Sequence, residues 1–253
     1  MSGRVTRRAM IQTGLAAAAG IAGLSAAAEI ASRYGVIPPH HGGLYGIGET
    51  LTYGSQRVLM ATRSMAREFS RSEISRVAPI NGDPPESDDY QGLLAREFSA
   101  WRLVVDGLVT KPASFSLADL RRLPARTQIT HQACEEGWSF IAEWAGVPLA
   151  TLLDVVWVRP EAKWVVFYPF DEYWDSVDIA EARHPQTLLA YSMNGGDLTA
   201  GHGAPLRLRV PRQLGYKSIK YLSRITVVDS LDRVENGHGS FSPEIGYSWY
   251  AGI

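Results

Sequence analysis

Cys134 is the only cysteine in 253 residues, and that scarcity excludes a good deal. A single thiol cannot close an internal disulfide, so no covalent staple holds the fold. It cannot by itself supply the sulfur set of a structural zinc site or an iron–sulfur cluster either. Lysine is nearly as scarce, present only as Lys111, Lys163, Lys217 and Lys220, and the net charge is −1. A broad basic face for nucleic acid is therefore not expected. Regular strand–helix alternation is missing as well, which argues against a doubly wound sheet. No internal repeat is visible.

What is present suits one large globular domain or two small ones, since 45% of the residues are hydrophobic. The N-terminus carries an address. Thr6-Arg7-Arg8-Ala9-Met10-Ile11 resembles a twin-arginine export signal, and an Ala/Gly/Leu-rich run from Gly14 to Ala28 follows. Ala26-Ala27-Ala28 offers a cleavage site. The alternative is an uncleaved membrane anchor, because the run with Ala9–Ile11 approaches spanning length. Its alanine and glycine make it weakly hydrophobic, which favours cleavage. The expected division is a signal over 1–28, a linker or extension over 29–76, and one domain over 77–253. An unpaired thiol outside the cytoplasm meets oxidants, so it is easier to keep if buried or occupied by a metal.

Pro38 to Gly43 and Tyr45 to Gly54 read as loop, followed by a short helix around Gln56–Glu68. His40 and His41 could bind a metal, but with no third ligand nearby a solvated loop is preferred. Val77 to Tyr90 reads as an extended, turn-rich approach, then a helix around Gln91–Phe98. Trp101–Asp106 reads as a strand ended by a turn at Gly107. Ser116-Leu117-Ala118-Asp119 resembles a capping box opening a helix that Pro124 ends. Thr127–Ala133 is a strand delivering Cys134, and Pro148–Val156 an amphipathic helix. Lys163–Tyr168, Gln186–Met193, Pro205–Val210 and Arg224–Val228 read as further strands, with a tight turn at Asn194-Gly195. The expected fold class is α+β, mixed and mainly β.

Two stretches could carry chemistry. Thr130-His131-Gln132-Ala133-Cys134-Glu135-Glu136-Gly137-Trp138 sets the lone thiol beside a histidine and two carboxylates. As a core residue Cys134 would be ordinary. As a nucleophile it needs a base, which His131 could be, though Glu135 and Glu136 would oppose the thiolate. As a soft metal ligand it requires other donors from elsewhere. The second stretch is Gly201-His202-Gly203-Ala204-Pro205-Leu206-Arg207, continuing to Gly215-Tyr216-Lys217-Ser218-Ile219-Lys220. Its glycines allow close approach of a ligand, while Arg207, Ser218 and Lys220 offer a fork, a hydroxyl and a point charge for an anionic group. A solvated hairpin is the plainer alternative.

Together these stretches resemble the molybdopterin domain of the sulfite oxidase superfamily. Cys134 to Trp138, then Trp144-Ala145-Gly146-Val147-Pro148-Leu149, is similar to that family's cysteine loop and the helix after it. Leu189-Ala190-Tyr191-Ser192-Met193-Asn194-Gly195 is similar to its hairpin, and Gly201 to Pro211 with Gly215 to Lys220 to its pterin-phosphate segment. The resemblance covers roughly Ala78 to Asp229. It implies a molybdenum–molybdopterin cofactor with Cys134 as the metal ligand. It implies that His202 and Arg207 hold the pterin and its phosphate, and that Ser218, Ile219 and Lys220 contact the phosphate. Asn81 and Asp171 are implied as further cofactor contacts, and Tyr247 as a catalytic tyrosine facing the metal's open side.

The departures narrow the expectation. Sulfite oxidases place arginines soon after the cysteine, whereas this chain has Glu135 and Glu136, which would repel sulfite. In that respect Glu136-Gly137-Trp138 resembles the periplasmic sulfoxide-reductase branch. The family's C-terminal dimerisation domain is not expected after the short tail to Ile253, and the sequence holds no Cys-x-x-Cys-His haem site. The resemblance thus implies an exported oxidoreductase performing two-electron oxygen-atom transfer on a small S- or N-oxide. Its electron partner would be a separate molecule, a membrane cytochrome or quinone-linked protein being the expected type. A cofactor-free binding or scaffold module of the same fold and a Cys134–His131 hydrolase are the rival readings.

Overall fold

The computed structural model describes residues 46–60 and 64–253. The export signal, its cleavage site, His40 and His41 lie outside the described residues. The chain divides into two units, Met1–Val58 and Leu59–Ile253. Helix α1 (Gly46–Met60) has Glu49 in its first turn and Arg57 in its last, both favourable to the helix dipole. This corrects the expected loop over Tyr45–Gly54. The expected extension of the short helix to Glu68 is also corrected: Glu68 bridges Thr130, and the Phe69 amide donates to the Ile129 carbonyl at 2.9 Å. Pairing with a strand edge outweighs local helix propensity there.

The second unit is built on two sheets. In the first, the order is β2 (Ala113–Phe115), β1 (Leu103–Gly107), β10 (Leu222–Val228), β5 (Trp164–Pro169), β6 (Asp175–Asp178). Only the β1–β10 pair is parallel. In the second, the order is β3 (Arg126–Ala133), β4 (Ser139–Pro148), β7 (Leu188–Met193), β8 (Gly196–Asp197), with β9 (Arg207–Arg209) also paired to β7. The helices are short: α2 (Asp88–Leu94), α3 (Leu117–Arg122), α4 (Leu149–Val155) and α5 (Ile179–Ala182). Among the described residues of this unit, strand exceeds helix, and the α+β class is borne out.

Most elements lie close to where their residue patterns place them. Ser116 caps α3, accepting from the Asp119 amide at 3.1 Å while Asp119 Oδ2 accepts from the Ser116 amide at 3.0 Å. Asn194 and Gly195 both have positive φ, 51° and 83°, as a two-residue turn between β7 and β8 requires. The main departure is β4, a ten-residue strand. Trp144 to Leu149, matched to the helix after the cysteine loop, is corrected: Trp144 to Pro148 is the end of that strand, and α4 starts only at Leu149. β3 pairs with β4 over Ser139–Gly146 and β7 over Trp144–Pro148, so the two partners together cover its whole length. That pairing overrides the Gly146 and Pro148 breakers.

The core explains the layering. Leu149, Leu152 and Leu153 of α4 are fully buried with Leu103, Val105, Val165, Phe167, Ile225 and Val227 from the first sheet and Leu189 and Leu208 from the second. Each such side chain contributes about 1.5–3 kcal/mol relative to exposure. A smaller cluster holds Phe140, Ala142 and Trp144 at alternate positions of β4 with Ala190, Leu198 and Ala204. It carries the pocket wall described below.

Gly146 marks a shift of register between β4 and β7, and a Cβ there would lie 2.0 Å from the Leu189 carbonyl oxygen and 2.6 Å from Ala190 Cα. These are backbone atoms that cannot swing aside. Gly146→Val is expected to lower unfolding stability by about 3 kcal/mol in a urea titration. Gly196→Ala, at a position with open space around it, should cost less than about 1 kcal/mol. Equal midpoints for the two variants would overturn the close-approach argument.

Candidate active site

Strand β3 runs directly into Cys134, whose amide donates to the Trp138 carbonyl at 2.9 Å. The Gly137 amide donates back to the Cys134 carbonyl at 3.1 Å, and Gly137 has φ of 91°, a conformation that suits glycine. The four residues Cys134 to Gly137 thus form a tight corner between β3 and β4 that presents the thiol beside two carboxylates. Trp138 Nε1 donates to Glu136 Oε2 at 2.8 Å and ties one of them down.

This corner borders a pocket of about 250 Å³. Trp138, Phe140 and His202 line one wall as successive stacked rings, with centroids 6.0 Å and 6.4 Å apart and both pairs within 18° of parallel. Trp138 immediately precedes β4 and lies two residues before Phe140, and its ring stacks on that of Phe140. Asn81, Cys134, Asp171, His202, Arg207, Ser218, Ile219 and Lys220 all line the same pocket. Those eight residues span a sequence distance from 81 to 220, and the fold brings them together. Tyr247 is not among the lining residues; it stacks on Tyr216, which is, with centroids 5.3 Å apart and 21° between the rings.

The thiol and the cations occupy distinct parts of the site. Cys134 Sγ points at Glu135 Oε2 at 3.3 Å and receives a donor, Asn81 Nδ2, at 3.7 Å. Burial, together with the bond to Glu135 and the charges of Glu135 and Glu136, pushes its pKa up to about 11, against the Glu136 amide, which lowers it. His131 does not serve it: it lies on the face of β3 opposite Gln132, its ring 6.5 Å from that of Phe69. No cation or base of the kind a thiolate nucleophile needs is in contact with the sulfur among the described residues. The hydrolase reading loses its support.

Arg207 donates from Nη1 to the His202 carbonyl at 3.0 Å and from Nη2 to the Ser218 carbonyl at 2.9 Å, and its Nε has no partner. Arg209 donates to Gln132 Oε1 and, at 3.0 Å, to Ser218 Oγ. Lys220 Nζ donates to the carbonyls of Asn81 at 2.6 Å and Gly201 at 3.3 Å. Burial is the first cause that lowers Arg207 to about 10 and Lys220 to about 8, and their mutual repulsion contributes to Lys220. Burial and these two cations hold His202 down to about 4, so it is neutral at pH 7. Gly203, with φ of 99°, lets the Lys220 stem approach to a distance at which a Cβ would stand 2.9 Å away.

Arg207 and Arg209, buried and bonded to carbonyl, amide and hydroxyl acceptors rather than to a carboxylate, the half-buried Lys220, a soft sulfur donor at one end and glycine-lined walls suit a group carrying both a phosphate and metal-bound sulfur. Among the described residues, no group of three or more His, Cys, Asp and Glu side chains could hold a metal unaided. A metal at Cys134 would need donors brought with it. The oxidoreductase molybdopterin-binding domain family model matches residues 91–234, more than half the chain. A relative from Azospira oryzae, named "Putative protein-methionine-sulfoxide reductase subunit YedZ1", is 38% identical over 197 residues, covering 77% of this chain and 70% of that one.

The chain belongs to the oxidoreductase molybdopterin-binding family. A solved relative, the sulfane dehydrogenase SoxCD from Paracoccus pantotrophus, is 30% identical with a TM-score of 0.49, over 51% of this chain and 38% of that one. Within this molybdopterin-binding oxidoreductase, sequence reasoning overlooked Gln132, Tyr173 and Tyr221 of the pocket lining and Arg209 behind it. Gln132 had a readable signal, since it lies near the end of β3, two residues before Cys134, and both are buried. Tyr173 had none, because the loop from Phe170 to Trp174 repeats no spacing.

In chain produced without molybdenum, Cys134 is expected to react with an alkylating reagent roughly a hundredfold more slowly than an unperturbed thiol near neutral pH. Its rate should climb until about pH 11. Fast labelling at neutral pH would show a thiolate that the carboxylates and burial do not permit.

Proposed function

We propose that this oxidoreductase is exported by the twin-arginine route, holds a molybdenum–molybdopterin cofactor, and reduces a small S- or N-oxide by two-electron oxygen-atom transfer. Residues 1–28 serve as the signal and 29–76 as an extension, while 77–253 hold the cofactor. Cys134 ligates the metal. Arg207 and Lys220 neutralise the phosphate, with the backbone and side chains of Ser218 and Ile219 around it. Neutral His202 stacks and hydrogen-bonds rather than adding charge. Asn81 and Asp171 complete the polar lining, and Tyr247, stacked on the pocket residue Tyr216, serves the reaction from the substrate side. When bound, the cofactor supplies the redox chemistry; the chain supplies orientation, electrostatics and water exclusion.

The observation that carries the substrate class is the acidic corner. Glu135 and Glu136 lie within 3.3 Å and 3.9 Å of the cysteine sulfur, where a dianionic oxyanion would meet two negative charges. A neutral or cationic oxide meets no such barrier. The name of the Azospira relative points the same way, because a protein-methionine-sulfoxide reductase acts on an S-oxide. That relative is also named as a subunit, which supports a separate electron-transfer partner, here a membrane cytochrome or quinone-linked protein. No helix among the described residues is long and apolar enough to cross a membrane.

The test uses the chain made in a molybdopterin-producing host, with metal analysis followed by turnover. Stoichiometric molybdenum, loss of it in Cys134→Ser, and reduction of methionine sulfoxide or an N-oxide by a reduced dye are the expected results. Efficient sulfite oxidation with no S- or N-oxide reduction would sink the substrate assignment, and absence of molybdenum would favour a binding module. Glu135→Gln and Glu136→Gln should each lower KM for an anionic substrate about tenfold at the effective dielectric of a partly solvated site. Their effect on a neutral sulfoxide should be much smaller.

A further inference from the structure

Tyr173, in the loop between β5 and β6, lines the pocket, and its hydroxyl is hydrogen-bonded to Ser242 Oγ at 3.1 Å. Ser242 is buried and reaches Asp175 Oδ2 at 3.5 Å. The other carboxyl oxygen, Asp175 Oδ1, receives the Ser176 amide at 2.6 Å and the Lys217 ammonium. Asp175 and Lys217 are both 1% exposed. Lys217 also donates to the Ser176 carbonyl at 2.8 Å and faces the Trp249 ring at 4.9 Å. A hydroxyl chain therefore runs from the pocket wall to a buried carboxyl group whose far oxygen is held by a cation. Nothing in the cofactor-binding role of the site requires it.

We propose that Tyr173, Ser242 and Asp175 form a proton relay that delivers one proton to the oxygen of the bound oxide, with Lys217 stabilising the carboxylate left behind. This inference rests on the S- or N-oxide reductase reading.

Hydrogen-bond direction makes the chain a two-state device. When Asp175 is ionised, Ser242 donates to Oδ2 and Tyr173 donates to Ser242, so the phenolic proton points away from the pocket. When Asp175 carries a proton on Oδ2, that proton goes to Ser242 Oγ, Ser242 donates to the Tyr173 oxygen, and the phenol donates into the pocket. Reduction of a sulfoxide, R2SO + 2 H⁺ + 2 e⁻ → R2S + H2O, takes its electrons from the external donor. One proton passes from Tyr173 to the departing oxygen as Ser242 reprotonates the phenol and Asp175 reprotonates Ser242. Asp175 ends as the carboxylate paired with Lys217. The second proton comes from pocket water, and the same water reloads the chain through Tyr173 before the next substrate enters.

The electrostatics agree. Burial raises Asp175 to about 6, although Lys217 and the bonds to it pull the other way. Burial also raises Tyr173, with Asp175, Glu135 and Tyr247 adding to the rise and Ser242 opposing it, so the phenol keeps its proton between turnovers. Around Lys217, Asp178 and Glu181 favour its charged form along with Asp175.

The experiment compares wild-type, Tyr173→Phe, Ser242→Ala and Asp175→Asn in the full chain loaded with cofactor, using methionine sulfoxide and a reduced dye. Tyr173→Phe should keep its molybdenum and KM while kcat falls about a hundredfold or more. In wild-type, kcat should decline about tenfold per pH unit above the Asp175 transition, and that slope should vanish in Asp175→Asn. Ser242→Ala should lower kcat and change the solvent deuterium isotope effect. Near-normal kcat in Tyr173→Phe overturns the relay, and so does a persisting slope in Asp175→Asn. If wild-type reduces no oxide at all, the function reading has failed, and infrared titration of the same chain still decides the relay. A carboxylic C=O band appearing below about pH 6, absent in Asp175→Asn and shifted in Tyr173→Phe, supports the coupled chain. No such band, or one indifferent to Tyr173, overturns it. Should Asp175→Asn misfold, the Tyr173 and Ser242 variants carry the test alone.

Discussion

Two guanidinium groups lie over one buried indole, and the rest of the site depends on how that arrangement is satisfied. Arg207 and Arg209 sit 5.1 Å and 4.6 Å from the Trp144 ring centroid, and all three residues are buried. Desolvation of two such cations is opposed by cation–π attraction and by carbonyl and amide acceptors, not by a carboxylate. Their positions, two apart on β9, put both on the same face, and β9 pairs with β7, which pairs with the β4 strand that carries Trp144. Strand pairing thus sets the cation pair. The polar acceptors that hold it, from His202, Ser218 and Gln132, are the pocket wall itself.

That constraint divides the pocket electrically. Arg207 and Lys220 face it from the segment between Gly201 and Tyr221, while Glu135 and Glu136 stand at the cysteine corner. A ligand bearing an anionic end and a soft, sulfur-rich end satisfies both regions in a single orientation.

The legible part of the fold was the part carried by local chemistry. Ser116 and Asp119 wrote their capping box into four residues, and Asn194-Gly195 its turn into two. Strand β4 was hidden because Gly146 and Pro148 read as breakers, and only the successive pairing with β3 and then β7 makes ten residues of it a strand. Helix α1 was hidden by the glycines at 46, 48 and 54. For the site, ordered motifs brought Cys134, His202, Arg207 and the Ser218–Lys220 run into view, and the pocket collects them with Asn81 and Asp171. Tyr247, brought in by a match near the chain's end, stacks on the pocket residue Tyr216. Tyr173, Tyr216 and Tyr221 are the tyrosines of the wall, and the contacts that join residues 173, 175, 217 and 242 leave no periodic trace in a sequence.

The buried Asp175–Lys217 pair asks for a reason beyond stability. A matched apolar pair of similar volume is often as stable or more so, because the Coulomb gain in the interior scarcely offsets desolvation of both ions. Here the pair also positions two pieces of the pocket. Lys217 ends the turn Gly215–Lys217, whose Gly215 approaches so near β3 that a Cβ would meet Gln132 Nε2 at 2.5 Å, and Asp175 opens β6 directly after the Tyr173 loop. An apolar substitute could preserve that packing but could neither receive Ser242 nor change its protonation state. Packing alone therefore does not explain the carboxyl group, and its hydroxyl chain leads to the pocket that contains Cys134.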